Sequence, residues 1–247
     1  MKPQDKLIKE LKKKPLPEMP SDIREKLAQN KVTPVAFRDK NRLLEDESLH
    51  DEAGFVRLPD GNYYVAMYCP MPGITMDMIH WWFWWHANAS ERYRVWFPGE
   101  HFAISYARKN KPFFEQPTCP PFEPNTHYPV EKIGKIALPL RIRFVDPQEF
   151  GFSKELMQQG RYPWAVNGHV GAMYGLVEHT EMAHILKETD DGLLMINRFW
   201  IGQTLKNPII RKAMLNDDTA RGMVEHCCIE YRNLAAILPK LYETYGT

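Results

Sequence analysis

The chain has 247 residues, 32 basic and 31 acidic side chains for a formal net charge of +1, and 12% aromatic residues, seven Trp among them. So even a balance offers no general attraction to nucleic acid or to an anionic membrane. The length suits one domain, or one domain with a small appendage, and leaves room for a sizeable core. The four cysteines form no Cys-x-x-Cys pair, and adjacent Cys227 and Cys228 are badly placed to bridge each other, so they read as reduced thiols. The first residues, MKPQDKLIKELKKKPLPEMP, are basic but lack the apolar core of a signal peptide. The aromatic run Trp81 to Trp85 is far too short to span a bilayer. These features lead us to expect a cytoplasmic protein with no nucleic-acid or membrane partner.

Residues 1–60 are polar and Pro-punctuated, with a charged helix expected around Ser21–Asn30, and make up most of an N-terminal segment bounded at 1–69. They read as an N-terminal arm or small subdomain available for homodimer contacts, followed by a main domain over 70–247. After Pro70-Met71-Pro72-Gly73, Thr75 can cap a helix with the body MDMIHWWFWWH. From Trp96 the chain turns extended, His101, Ala103 and Ser105 alternating with Phe102, Ile104 and Tyr106. A second strand is expected from Ile133 to Phe144. Ile136, Leu138, Leu140, Ile142 and Phe144 share one face there, with Lys135, Arg141 and Arg143 between them. A hairpin pairs strands near 173–188 and 193–202 across Asp191-Gly192, a strong turn signal.

The last element is a helix over about Thr219–Tyr242, with Asn216, Asp217 and Asp218 as capping groups. Met223, Cys227, Leu234, Ile237, Leu238 and Leu241 form its apolar stripe. Antiparallel strands followed by a long amphipathic helix predict an α+β fold, a curved sheet wrapped around the C-terminal helix with a cavity between them.

His226 and Glu230 lie one helical turn apart beside that stripe. A carboxylate turned inward is costly unless it is paired or bound to a metal. The pair therefore reads either as two ligands of one ion or as a chance pair on a solvated edge. His101, on the first strand, and Glu131, placed at the start of the next, could meet on the inner face of the sheet. Two His and two Glu would suit zinc, with iron or manganese as lesser candidates.

The segment WWFWWHANASERYRVWFPGEH, the hairpin HILKETDDGLLMINRFWIG and the helical His226-x-x-x-Glu230 occur in this order. Together they resemble the 2,4-diacetylphloroglucinol hydrolase and phloretin hydrolase family over roughly residues 70–240. The resemblance implies a helix-grip fold related to Bet v 1 and START domains. It also implies zinc bound by His101, Glu131, His226 and Glu230, and hydrolysis of an aryl–acyl carbon–carbon bond in a small aromatic or cyclic ketone. It makes His184 the proton-transfer residue and Tyr93 a hydrogen-bond partner of a substrate oxygen; Trp96 could pack on the ring, although its default reading is core. Where family members carry Asn and Tyr contacts to substrate hydroxyls, this chain has Ile104 and Phe199, which implies a changed substrate. His80, His86 and His169 read as structural, and His179 with Glu181, two apart on the hairpin, as a solvent-exposed pair. His179 and His169 remain alternatives to His184 for proton transfer. The competing reading is a non-enzymatic carrier of apolar molecules, which has no need of inward His226 and Glu230.

Overall fold

A computed structural model describes residues 3–134 and 136–246. Eight strands form one antiparallel sheet: β1 (Gly54–Arg57), β2 (Tyr63–Pro72), β3 (His101–Tyr106), β4 (Asn125–Ile133), β5 (Ile136–Val145), β6 (Trp164–Ala172), β7 (Val177–Thr189) and β8 (Gly192–Ile201). Their order is β1-β2-β8-β7-β6-β5-β4-β3. The C-terminal helix Asp217–Tyr245 crosses the inner face, its N-terminus capped by Asn216, whose side chain accepts from the Thr219 amide. The expected architecture, a sheet gripping the last helix around a cavity, is the one observed.

Period-two patterning explains how β2 and β8 hold both layers together. Val65, Met67, Cys69 and Met71 face inward against Val224, Cys227, Leu234, Leu238 and Leu241 of the helix. Tyr64 and Ala66 face outward with Ile196 and Trp200, under a cover made by Val35, Leu43, Leu44 and Leu49. Backbone polar groups of this cover are satisfied from the sheet. The Trp200 indole donates to the Val35 carbonyl at 2.7 Å, and the fully buried Arg198 donates to the carbonyls of Leu49 and Met67. The boundary expected at 69/70 thus falls inside β2, which pairs with β8 along its whole length. The first 69 residues supply two strands and one covering layer of the same fold.

The helices Ser21–Gln29 and Met76–Trp85 form where expected, the latter with Thr75 accepting from the Met78 amide. Two differences reshape the middle of the chain. A helix, Ser90–Trp96, precedes β3 in a stretch for which no element was expected, and it delays the extended chain expected from Trp96. The strand expected over 133–144 forms as β5, but it starts at Ile136, because Ile133 ends β4 and the chain turns at Gly134, whose φ of +67° favours glycine. Glu131 therefore lies near the end of β4 rather than opening a strand. Leu138, Leu140, Ile142 and Phe144 do share the inner face, while Lys135 lies outside the described residues. The β7–β8 hairpin matches its expectation, with Thr189 paired to Gly192. No described helix is long and apolar enough to cross a membrane.

Candidate metal centre and cavity

Between the sheet and the C-terminal helix lies a cavity of about 590 Å³, within the range of about 300–1,000 Å³ that encloses small-molecule ligands. Its wall is mostly apolar, and one side carries a dense polar cluster. The helix Ser90–Trp96 hands the chain to β3 through a tight turn in which the His101 amide donates to the Phe97 carbonyl at 2.9 Å. The first residue of β3, His101, is then directly opposite Glu131 of β4. A bulge follows between His101 and Ala103, so His101 and Ile104 are both buried while Phe102 is exposed. Strict alternation had put His101 and Ile104 on opposite faces. The extra residue of the bulge shifts the phase and turns both inward.

His101 Nε2 lies 3.6 Å from Glu131 Oε2 and 3.5 Å from Glu230 Oε1, and His226 Nε2 lies 3.8 Å from Glu230 Oε2. Donor atoms of His101, His226 and Glu230 all fall within 4.8 Å of one another, a spacing compatible with one ion. Tetrahedral bonds of about 2.0–2.2 Å place ligand atoms about 3.3–3.6 Å apart. Glu131 reaches this group through His101, and the same Oε2 that lies nearest His101 accepts a hydrogen bond from the Tyr93 hydroxyl. Tyr93 also stacks on the His101 ring at 4.0 Å between centroids.

Protonation and orientation are set by the surroundings. His101 Nδ1 lies 3.3 Å from the Tyr93 carbonyl, which can only accept, so Nε2 is left as a lone pair aimed at the two carboxylates. That Nε2 is buried without a hydrogen-bond partner. His226 is likewise bonded to the Lys132 backbone. Such outer hydrogen bonds fix the tautomer of metal-binding imidazoles. Burial raises the Glu131 carboxyl to about 7, against the opposing Tyr93 hydrogen bond. Burial, and then the Glu131 charge, push Glu230 well above its ordinary value. Burial lowers His226 to about 4, and burial with the neighbouring His226 lowers His101 further. Two desolvated carboxylates beside two neutral imidazoles, one with an orphan nitrogen, form a donor set that a divalent cation fits.

The helix register is locked where this cluster needs it. Trp96 Nε1 donates to the Glu230 carbonyl at 3.1 Å, and Asn233 Nδ2 donates to the Trp96 carbonyl at 2.6 Å. Across the cavity on β7, His184 donates from Nδ1 to Asn197 Oδ1 at 2.6 Å and sits 4.9 Å from the Tyr231 ring. Burial lowers its pKa to about 4, so it is neutral at pH 7. Ile104 and Phe199 line the cavity, as expected for apolar walls.

Several secondary expectations need correction. His179 and Glu181 are both buried and face opposite ways. A register shift in the β6–β7 ladder pairs Val170 with Thr180 but Gly171 with Glu178, leaving His179 as an extra residue turned into the cavity. Glu181 instead meets His169 Nδ1 at 2.6 Å on the outer face, near Phe150. His169 is therefore removed from proton transfer in the cavity. His86 has a partner, the Trp82 carbonyl at 2.6 Å, and lines the cavity beside Tyr93. His127 escaped the sequence reading altogether. It shares the inward face of β4 with Glu131, and that two-residue periodicity was the available signal.

A sheet closed over a helix, an apolar cavity and a buried His/Glu group of metal-ligand spacing define a small-molecule-binding protein with a candidate metal centre. Residues 35–243 match the model of the DAPG hydrolase PhiG domain, and the chain belongs to that family. It is 31% identical over 239 residues to a 2,4-diacetylphloroglucinol hydrolase of Pseudomonas protegens, covering 87% of this chain and 75% of that one. It is also 30% identical over 220 residues to a phloretin hydrolase of Eubacterium ramulus, with 84% and 78% covered. A solved structure, protein Ms6760 from Mycobacterium smegmatis, is similar with a TM-score of 0.40 at 12% identity, covering 76% of this chain and 98% of that one.

Proposed function

We propose that this protein is a zinc-dependent hydrolase that cleaves the carbon–carbon bond between an acyl group and a phenolic or cyclic 1,3-diketone ring. Membership of the hydrolase family supports the reaction class. The observation that carries the metal is the partnerless His101 Nε2, held between two buried carboxylates on the cavity wall. A pure carrier of apolar ligands gains nothing from desolvating these groups.

The reaction consumes one water. Its oxygen ends on the acyl carbon as a carboxylic acid, and the ring carbon leaves with the bonding pair and takes a proton. His101, Glu131, His226 and Glu230 would hold the zinc, which when bound polarises an acyl oxygen and makes a water easier to deprotonate. His184 manages the proton. Neutral, with Nδ1–H given to Asn197, it presents Nε2 as a base that accepts a proton and returns it to the departing ring carbon. Tyr93 orients Glu131, and its hydroxyl oxygen can still accept from a ring hydroxyl. Trp96, fixed by its own hydrogen bond, and the apolar Ile104 and Phe199 close on the ring. The reading places the reaction in the cytoplasm, consistent with four free thiols of which Cys69, Cys227 and Cys228 are buried.

The test combines elemental analysis of protein purified without a chelating tag with product analysis in ¹⁸O-labelled water. One zinc per chain and one labelled oxygen in the carboxylic acid are expected. Unlabelled product, or full activity after metal is removed, would refute the proposal.

A further inference from the structure

The C-terminal helix carries a buried interior glycine, Gly222, one turn before His226 and on the same face. Glycine is a poor helix former beside alanine, and Gly222 has no positive φ that would call for it. What calls for it is space. A Cβ built on Gly222 would stand 3.1 Å from Cα and 3.2 Å from N of Gly134, in the β4–β5 turn. Those distances are inside the about 3.5–4.0 Å at which carbon atoms normally meet. The obstacle is backbone, so no side chain can rotate aside. Gly134 answers a different need: its positive φ makes the turn, and nothing lies within 4 Å of where its own Cβ would be.

That turn is tied to the residues assigned to the metal. Lys132 follows Glu131 in β4, and its carbonyl accepts a hydrogen bond from the His226 imidazole. The Lys132 amide donates to the Glu100 carbonyl at 2.8 Å, and its ammonium meets the Glu100 carboxylate at 2.9 Å. Glu100 directly precedes His101. Lys132 therefore joins β4, the start of β3 and the helix, and its approach to the helix is limited where the turn touches Gly222.

We infer that Gly222 is a positioning residue for the metal centre, a gap in the helix that lets the β4–β5 turn lie close enough for the Lys132 carbonyl to hold His226 beside Glu131 and His101. The inference rests on the metal reading of that group. A methyl group at position 222 displaces the turn by a few tenths of an ångström, which lengthens the bond from Lys132 to His226 and moves Glu131 with it. Metal–ligand distances tolerate only about 0.2 Å. The helix itself gains, because Ala loses less backbone entropy in a helix than Gly does.

These two effects have opposite signs, and that separates positioning from folding. Gly222→Ala is compared with wild type by thermal unfolding of the metal-free protein and by zinc titration against a competing chelator. The metal-free melting temperature should equal or exceed that of wild type, while zinc affinity falls about tenfold, the scale of a lost outer partner of a metal ligand. Unchanged affinity overturns the inference at any melting temperature. If Gly222→Ala melts lower or does not fold, the imidazole ¹⁵N shifts of metal-free wild type decide. A single His226 tautomer, fixed by the Lys132 carbonyl, sustains the inference, and a mixture overturns it. Zinc affinity that falls in Gly222→Ala, in a protein without turnover, would sustain the positioning role and refute the hydrolase. Turnover with zinc affinity untouched by Gly222→Ala would do the reverse, and a wild type that binds no zinc ends both.

Discussion

Tyr93 and Glu131 are joined by a buried hydrogen bond in which the phenol donates to the carboxylate, although the two belong to a helix and a strand 38 residues apart in the chain. The same Tyr93 stacks on His101 and receives its Nδ1 hydrogen bond at the backbone carbonyl. One residue, through its hydroxyl, ring and backbone carbonyl, thus orients two of the four residues assigned to the metal.

Tyr93→Phe keeps the ring stack and removes only the hydroxyl. Loss of such an outer-shell partner typically weakens metal affinity by about 10–100-fold. Zinc titration against a competing chelator should show that loss with the melting curve of the loaded protein little changed. Unaltered affinity would mean that the hydroxyl does not serve the metal.

Glu230→Gln preserves volume and removes the charge. Metal content and turnover should fall together, and added zinc should raise the melting temperature of the wild type but not of the variant. A variant that keeps its zinc while losing activity would move Glu230 from ligand to another role.

The buried imidazoles make an acid-sensitive fold. His86, His179 and His184 each have a folded pKa lowered to about 4 by burial, against about 6.5 in the unfolded chain. The unfolded state therefore binds more protons between these values, so stability is full above about pH 6.5 and declines as pH falls toward 4. Each group contributes at most about 1.4 kcal/mol per pH unit in that window. Glu131, raised to about 7, works in the opposite sense when no metal is bound, because the folded state then holds the proton more tightly. Urea denaturation from pH 7.5 to 4.5 should therefore show a steeper acid loss for metal-loaded than for metal-free protein.

The helix is held by apolar packing as well as by Trp96 and Asn233. Leu234 is fully buried against the sheet, and Leu234→Ala should cost about 2–5 kcal/mol in chemical denaturation. A loss below about 1 kcal/mol would mean that the cavity wall collapses readily around the missing methyl groups.

Ile104 and Phe199 offer no hydrogen bond to a ring hydroxyl, and a hydroxyl that cannot pair is penalised in an apolar wall. Ketones with fewer or differently placed ring hydroxyls than 2,4-diacetylphloroglucinol should be preferred by kcat/KM. The Ile104→Asn, Phe199→Tyr double variant should gain about tenfold on the fully hydroxylated diacyl ring, about 1.4 kcal/mol of transition-state stabilisation.

What could be read from the sequence followed local periodicity. The apolar stripe of the last helix, the Asp191-Gly192 turn and the Thr75 cap each act within a few residues, and each appears where expected. His226 and Glu230 were placed by the helical repeat alone. What escaped depended on tertiary pairing. Ala89, at the N-cap position, offers no side-chain hydrogen bond to announce the helix Ser90–Trp96, and Ile133, apolar like the residues of β5, concealed the turn at Gly134. The role of residues 30–50 as the outer cover rests on contacts with Arg198 and Trp200, more than a hundred residues away.

The two bulges have a consequence for how this cavity changes over time. In a regular strand every substitution leaves each neighbour on its own face, so the wall is altered one side chain at a time. A single-residue insertion or deletion in β3 or β7 instead exchanges whole rows, hiding His179 from the cavity or bringing Glu178 toward it. Relatives that look alike column by column can therefore present different walls to a ligand, and gaps of one residue near 102 and 179 carry more information about ligand choice than many substitutions elsewhere.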